Sequence, residues 1–165
     1  MPRKRGDFVA AADRDPRDGR VHDHEGRGQL CVPILPDLAE RLRLHPMVDH
    51  NTALYQTGYT IPVDAQEAGT GISASARALT IRTILDPRTL PEDLKRPGHL
   101  FPLVAKEGRP AQAGHTEAAV DLARLAGRKP AGVICEILDG TGVAGRGGSP
   151  RSPASSACRS CRSRP

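Results

Sequence analysis

The sequence predicts one domain of mixed helices and strands. Three observations predict it. Across residues 113–127, Ala119, Leu122, Ala123 and Ala126 fall at i, i+3, i+4 and i+7, one face of a helix, with Gly127 to stop it and Pro130 just beyond. Residues 131–137 (Ala-Gly-Val-Ile-Cys-Glu-Ile) then form an apolar run too short and too β-branched for another helix, which reads as a buried strand. Upstream, shorter segments of both kinds alternate along the chain.

In chain order, residues 6–12 (Gly-Asp-Phe-Val-Ala-Ala-Ala) are a strand or the start of a helix. Residues 13–25 hold a single apolar side chain, Val21, and cannot bury a helical face, so a solvated loop is expected. Residues 29–34 read as a strand. Residues 36–42 read as a short helix with Leu38 and Leu42 on one face. Tyr59, Ile61 and Val63 alternate as in a half-buried strand. Residues 73–85 read as a helix with Ser73 as N-cap, ended by Asp86-Pro87. Residues 91–94 form a turn of helix, and residues 100–105 a strand that Pro102 confines to an edge or a bulge.

Composition narrows the class. A chain of 165 residues is one domain with room for a core. With two Phe, two Tyr and no Trp, that core must be Val, Leu, Ile and Ala. The net charge of +5 is carried unevenly, the two ends being rich in Arg, Asp, Gly, Pro and Ser. No apolar run approaches the ~20 residues of a membrane span. Arg3, Lys4 and Arg5 are followed by no apolar segment of the kind a signal peptide needs. Four Cys without a framework spacing suit a reducing, cytoplasmic setting.

Two features of the 113–137 unit carry chemistry. Glu136 stands between Cys135 and Ile137 in an apolar strand, where a carboxylate is costly unless paired or protonated. Gly114-His115-Thr116 opens the helix, whose free N–H groups and positive dipole end suit a phosphate or another anion. Other candidates are weaker. His22, His24 and Glu25 sit on a run that fixes no metal geometry, and Cys158-x-x-Cys161 is half a zinc knuckle with no second pair. The Arg-rich tail could touch nucleic acid non-specifically, but no stacking aromatics or base-reading motif support a specific role.

Longer motifs point further. Arg96-Pro97-Gly98-His99-Leu100-Phe101-Pro102-Leu103, then Ala113-Gly114-His115-Thr116-Glu117-Ala118-Ala119-Val120-Asp121-Leu122, then Gly132-Val133-Ile134-Cys135-Glu136-Ile137 follow one another in a set order, supported by Gly28-Gln29-Leu30-Cys31-Val32-Pro33 and Thr70-Gly71-Ile72-Ser73-Ala74. In these words the chain resembles the 3,4-dihydroxy-2-butanone 4-phosphate synthase family of riboflavin biosynthesis, over residues 26–138. The resemblance implies a three-layer α+β sandwich around a mixed β-sheet, here N-terminally truncated. It also implies a homodimer with sites at the subunit interface, a Mg²⁺ or Mn²⁺ cofactor, and ribulose 5-phosphate as substrate, split to 3,4-dihydroxy-2-butanone 4-phosphate and formate. It divides the chain into a divergent, poorly ordered segment (1–25), the synthase-like domain (26–138) and a disordered basic tail (139–165).

Residue by residue, the resemblance makes His99 and Glu136 catalytic and His115 the metal ligand. Asp7, Gln112, Ala113, Gly114, His115, Thr116 and Glu136 would bind substrate, and Thr70 and Cys31 would line the pocket. Cys31 and Cys135 read equally well as small core residues. Two departures bear on activity. Arg3 stands where the family's acidic loop carries a metal-binding Glu, and Gln112 where it carries an Arg, a neutral amide in place of a bidentate cation. The alternative reading is therefore a catalytically inactive remnant that at most binds a phosphosugar or pairs with an intact copy. The composition of residues 3–25 and 139–165, abutting well-matched sequence, suggests shifted-frame translation of a GC-rich gene or a decayed copy.

Overall fold

The computed structural model describes residues 7–11, 27–106, 114–139 and 142–143. The elements are β1 (Asp7–Ala11), β2 (Arg27–Ile34), α1 (Pro36–Arg41), β3 (Val63–Ala65), α2 (Ala74–Leu85), a 3₁₀ turn (Pro91–Asp93), β4 (Leu94–Val104), α3 (His115–Leu125), β5 (Gly132–Asp139) and β6 (Gly142–Val143). Six strands form one sheet in the order β1-β5-β2-β4-β3, with β6 folded back on the end of β5. β2 and β4 run parallel and the other pairs antiparallel, so the sheet is mixed.

Strand alternation divides the core between the two faces. On one face Leu30, Val32, Ile34, Leu100, Val133 and Cys135 pack with Ala39 and Leu42 near α1 and with Ile81, Ile84 and Leu85 of α2. On the other, Cys31, Leu103 and Ile134 pack with Ala119 of α3 and with Tyr59 and Phe101. Helices thus cover both faces of the sheet in three layers, as the resemblance implies. The first core holds no aromatic side chain, and the second takes two of the four in the chain, Tyr59 and Phe101.

α2 starts where the sequence places it: Ser73 Oγ accepts the Ala76 N–H at 3.2 Å. α2 is locked to β3 by Thr80, whose hydroxyl accepts the Ala65 N–H at 2.9 Å and donates to the Ala76 carbonyl at 3.0 Å. After α3, Gly127 takes a φ of +67°, and the Arg128 N–H returns to the Ala123 carbonyl, as a glycine helix stop should.

Three expectations need correction. β4 is an inner strand despite Pro102. The Pro102 carbonyl points away from β2 and accepts the Thr60 N–H and hydroxyl, so the missing proline N–H falls on a side crossed only by the irregular 58–60 segment. Tyr59, Ile61 and Val63 do not form one alternating strand. Isolated bridges tie Tyr59 to Leu103 and Thr60 to Pro46, and the strand begins at Val63 with three consecutive buried residues. On α3 the buried residues are Ala119, Val120 and Ala123, while Leu122 is 40% and Leu125 85% exposed. The helix meets the sheet through small residues: a Cβ on Gly132 would stand 2.8 Å from that of Ala119.

The expected solvated loop at 13–25 with His22 and His24, the departures at Arg3 and Gln112, the substrate contact Ala113, and residues 144–165 with Cys158 and Cys161 lie outside the described residues. No helix of the described residues is long and apolar enough to cross a membrane.

Candidate active site

Glu136 lies near the end of β5, half-buried rather than fully enclosed. Two registers place it. Asp7 is its partner on β1. On β2 the pairing jumps from Arg27↔Ile137 to Leu30↔Cys135, so Gly28 and Gln29 together oppose Glu136 in a bulge. Position 28 must be glycine, because a Cβ there would stand 2.5 Å from the Glu136 carbonyl oxygen and 2.9 Å from the Glu136 Cβ. The bulge re-aims the backbone beside the carboxylate that the sequence singles out.

One row inward, Cys31 is the β2 partner of both Phe101 and Ile134. Tyr59 crosses this row edge-to-face with Phe101, ring centroids 6.4 Å apart, and its hydroxyl lies 4.0 Å from Cys31 Sγ. Burial raises the Tyr59 phenol to a pKa of about 12, with the Cys31 thiol and the Glu136 carboxylate adding to the effect. Tyr59 therefore stays a neutral hydroxyl near Glu136. Its proton is held more tightly in the folded chain than in the unfolded one, so its contribution to stability is complete below pH ~10 and is lost as pH rises towards about 12. In Tyr59→Phe this alkaline loss is expected to be smaller, and the phenolate component titrating near pH 12 to vanish from the ultraviolet titration.

His99 is positioned from β3. The β3–β4 register jumps from Val63↔Leu100 to Asp64↔Lys95, so residues 96–99 bulge out of β4. Arg96 pins the base of this bulge, donating to the carbonyls of Pro91, Leu94 and Leu42 at 2.6–2.7 Å. Burial lowers its pKa from the usual guanidinium value. Gly98 runs against the backbone of Val63 and Asp64 with no space for a side chain. The bulge turns His99 onto Asp64. The His99 backbone N–H donates to Asp64 Oδ1 at 2.9 Å, and ring Nδ1 lies 2.7 Å from Oδ2. The Asp64 side chain is 6% exposed and that of His99 47%. A buried carboxylate thus holds His99 by two bonds, one to its backbone N–H and one to its ring, and directs the Nδ1 proton inward, so that Nε2 carries the lone pair.

Gly71, at φ +79°, closes the far side of Asp64, and a Cβ there would overlap the carboxylate. Gly71→Ala combines a left-handed backbone with that clash. It is expected to destabilise the chain by about 2–4 kcal/mol, read as a fall in the urea midpoint at unchanged m.

The remaining predicted residues are at the start of α3. Gly114 is the N-cap, with no side-chain cap, followed by exposed His115 and half-buried Thr116. Its first turn lies by Lys106, just past the end of β4, since Glu117 Oε1 accepts the Lys106 N–H at 3.1 Å. Along β4, His99 stands about 16 Å from Val104, the last residue of the strand. The chain therefore brings Glu136 together with Asp7, Tyr59 and Cys31, and His99 together with Asp64. Thr70 is exposed beside Gly71, and Cys135 belongs to the core on the opposite face from Cys31.

Among the described residues no group of three or more His, Cys, Asp and Glu could hold a metal ion. His115 is the one predicted donor they include, which fits only a cation completed by water and substrate oxygens.

Sequence reasoning missed Asp64, Tyr59 and Gly28. The first had a signal: an aspartate inside Val63-Asp64-Ala65 is a charge in an apolar run, the same anomaly that marks Glu136.

The family model for 3,4-dihydroxy-2-butanone 4-phosphate synthase matches residues 3–154, beyond the 26–138 that the motifs span. The riboflavin biosynthesis protein RibBA of Bacillus subtilis (strain 168) is 48% identical over 143 residues, 86% of this chain and 36% of that protein. RibBA of Bacillus cereus (strain AH187) is 52% identical over the same shares. The chain thus spans about a third of the length of the curated relatives it matches. Among solved structures, RibBX of A. baumannii, a two-domain 3,4-dihydroxy-2-butanone 4-phosphate synthase, superposes with a TM-score of 0.80 at 41% identity, covering 87% of this chain and 43% of that one. A 3,4-dihydroxy-2-butanone 4-phosphate synthase in complex with two magnesium ions superposes with a TM-score of 0.77 at 39% identity, covering 90% and 70%. The chain belongs to the 3,4-dihydroxy-2-butanone 4-phosphate synthase family.

Proposed function

We propose that the chain is a lyase of riboflavin biosynthesis that converts D-ribulose 5-phosphate to 3,4-dihydroxy-2-butanone 4-phosphate and formate. The observation that carries this reading is the placement of an accessible carboxylate, Glu136, beside Asp7 and a neutral phenol, with an imidazole oriented by a buried carboxylate elsewhere on the same sheet. Enediol formation, dehydration and a carbon shift need proton donors and acceptors held in place.

The N–H groups and dipole at the start of α3, with the Thr116 hydroxyl, receive the phosphate. The sugar extends along the strand face towards Glu136, which takes and returns protons at the reacting carbons and hydroxyls. Asp7 binds sugar hydroxyls. His99 serves as the second acid–base group through Nε2. His115 would hold a Mg²⁺ or Mn²⁺ ion, which would supply positive charge for the developing enediolate. The two magnesium ions in a solved family member support a divalent cation.

Arg3 and Gln112, set against the family's Glu and Arg, support a reduced rate and weaker phosphate binding. The alternative is a catalytically inactive family member that binds phosphosugar or pairs with an intact copy. Exposed Leu122 and Leu125 on α3, and Leu54 and Tyr55 in the 46–57 loop, support a homodimer with the site at its interface. The protein works without a membrane or a specific nucleic-acid partner, in the cytoplasm.

The test is consumption of ribulose 5-phosphate by the purified chain with Mg²⁺ and with EDTA. Turnover that EDTA abolishes supports the lyase. Phosphosugar binding without turnover favours the inactive reading.

A further inference from the structure

We infer that Glu117 is a positioning residue that sets the phosphate seat at the start of α3 by tying that helix to the end of β4. The inference rests on the function proposed above. Glu117 is the third residue of α3, where an acidic side chain ordinarily folds back to cap its own helix start. Here it reaches across the chain instead. Its Oε1 accepts the Lys106 backbone N–H at 3.1 Å, eleven residues away, and its Oε2 lies 3.0 Å from where a Cβ on Gly114 would stand.

The carboxylate therefore ties the first turn of α3 to Lys106, just past the end of β4, and packs against Gly114, where α3 begins. These are the two ends of the segment that carries Gln112 and Ala113. Holding the helix start against Lys106 fixes where the first-turn N–H groups of α3 point relative to the sheet face on which Glu136 sits. The helix dipole favours an anionic residue at this position, so the tie is compatible with an intact helix start. A bond that locates the phosphate and touches no reacting atom should act on substrate binding and leave the chemical step nearly unchanged.

The experiment compares Glu117→Ala with Glu117→Gln, which keeps an acceptor oxygen at the same reach and removes the charge. Three readouts are taken: inorganic phosphate binding, the kinetics of ribulose 5-phosphate turnover, and amide exchange at Lys106. In Glu117→Ala, phosphate binding should weaken and KM rise by about tenfold, with kcat within about threefold, and Lys106 should lose its protection. Glu117→Gln should restore all three to near the parent values. The inference is overturned if Glu117→Ala binds phosphate as the parent does, if kcat falls while KM is unchanged, or if Glu117→Gln is as impaired as Glu117→Ala, which would assign the effect to charge. A parent chain that binds no phosphate while Lys106 stays protected overturns the functional reading, and with it the role given to the tie.

Discussion

Glu136→Gln is expected to reduce formate production by about a thousandfold, within the range for loss of a general acid–base group, while the chain stays folded. Gln has the shape of Glu, and the bulge at Gly28 packs on the Glu136 backbone and Cβ, which the substitution leaves in place. An amide cannot carry a proton between reacting atoms, whereas it can still bond to a sugar hydroxyl. The account therefore predicts a loss in kcat with KM little changed, and a thermal melt like that of the parent. A rate within tenfold of the parent would move the proton transfer to another group.

Asp64→Asn is expected to lower turnover by about a hundredfold or more with little loss of stability. Asn retains an oxygen for the His99 backbone N–H. Its NH₂ then faces Nδ1, which must present a lone pair, and the ring proton moves to Nε2, the wrong tautomer for a base at that nitrogen. An Asp→Asn change behind a catalytic histidine costs about 10⁴ in the serine-protease triad, a fully enclosed case. With His99 half-exposed, a smaller factor is expected here. Asp64→Ala should behave differently. It leaves two donors without their acceptor and opens a void beneath Gly71, lowering stability by about 2–3 kcal/mol as well as the rate. The contrast between the two variants separates orientation of the imidazole from support of the fold.

These two positions show what the sequence makes legible and what it leaves hidden. Glu136 stands out because a carboxylate inside a β-branched run conflicts with its surroundings, and the structure gives it Asp7 as partner and a bulge as neighbour. Ser73 and Gly127 are legible because helix ends have local chemistry. Asp64 was hidden by an alternation over Tyr59, Ile61 and Val63 that would have turned it outward. The buried Val63-Asp64-Ala65 strand exists because Thr80 and the β4 bulge pack on it, contacts no local pattern encodes. Pro102 misled for a related reason: whether a proline suits an inner strand depends on which neighbour its missing N–H faces, and that is set by topology. The pairing of Leu122 with Ala119 as one buried face failed because the approach of α3 to the sheet follows the small residues Ala119 and Gly132, which leaves the larger Leu122 outside.

This chain is expected to perform the carbon-releasing reaction of its family with Glu136 as the proton-moving carboxylate. The most direct measurement is the yield of formate against that of the four-carbon phosphate from ribulose 5-phosphate, for the parent and for Glu136→Gln side by side in Mg²⁺. One formate is expected for each four-carbon phosphate in the parent, at whatever rate the departures at Arg3 and Gln112 allow, and next to none in the variant. Phosphosugar binding by a folded parent that releases no formate would contradict it.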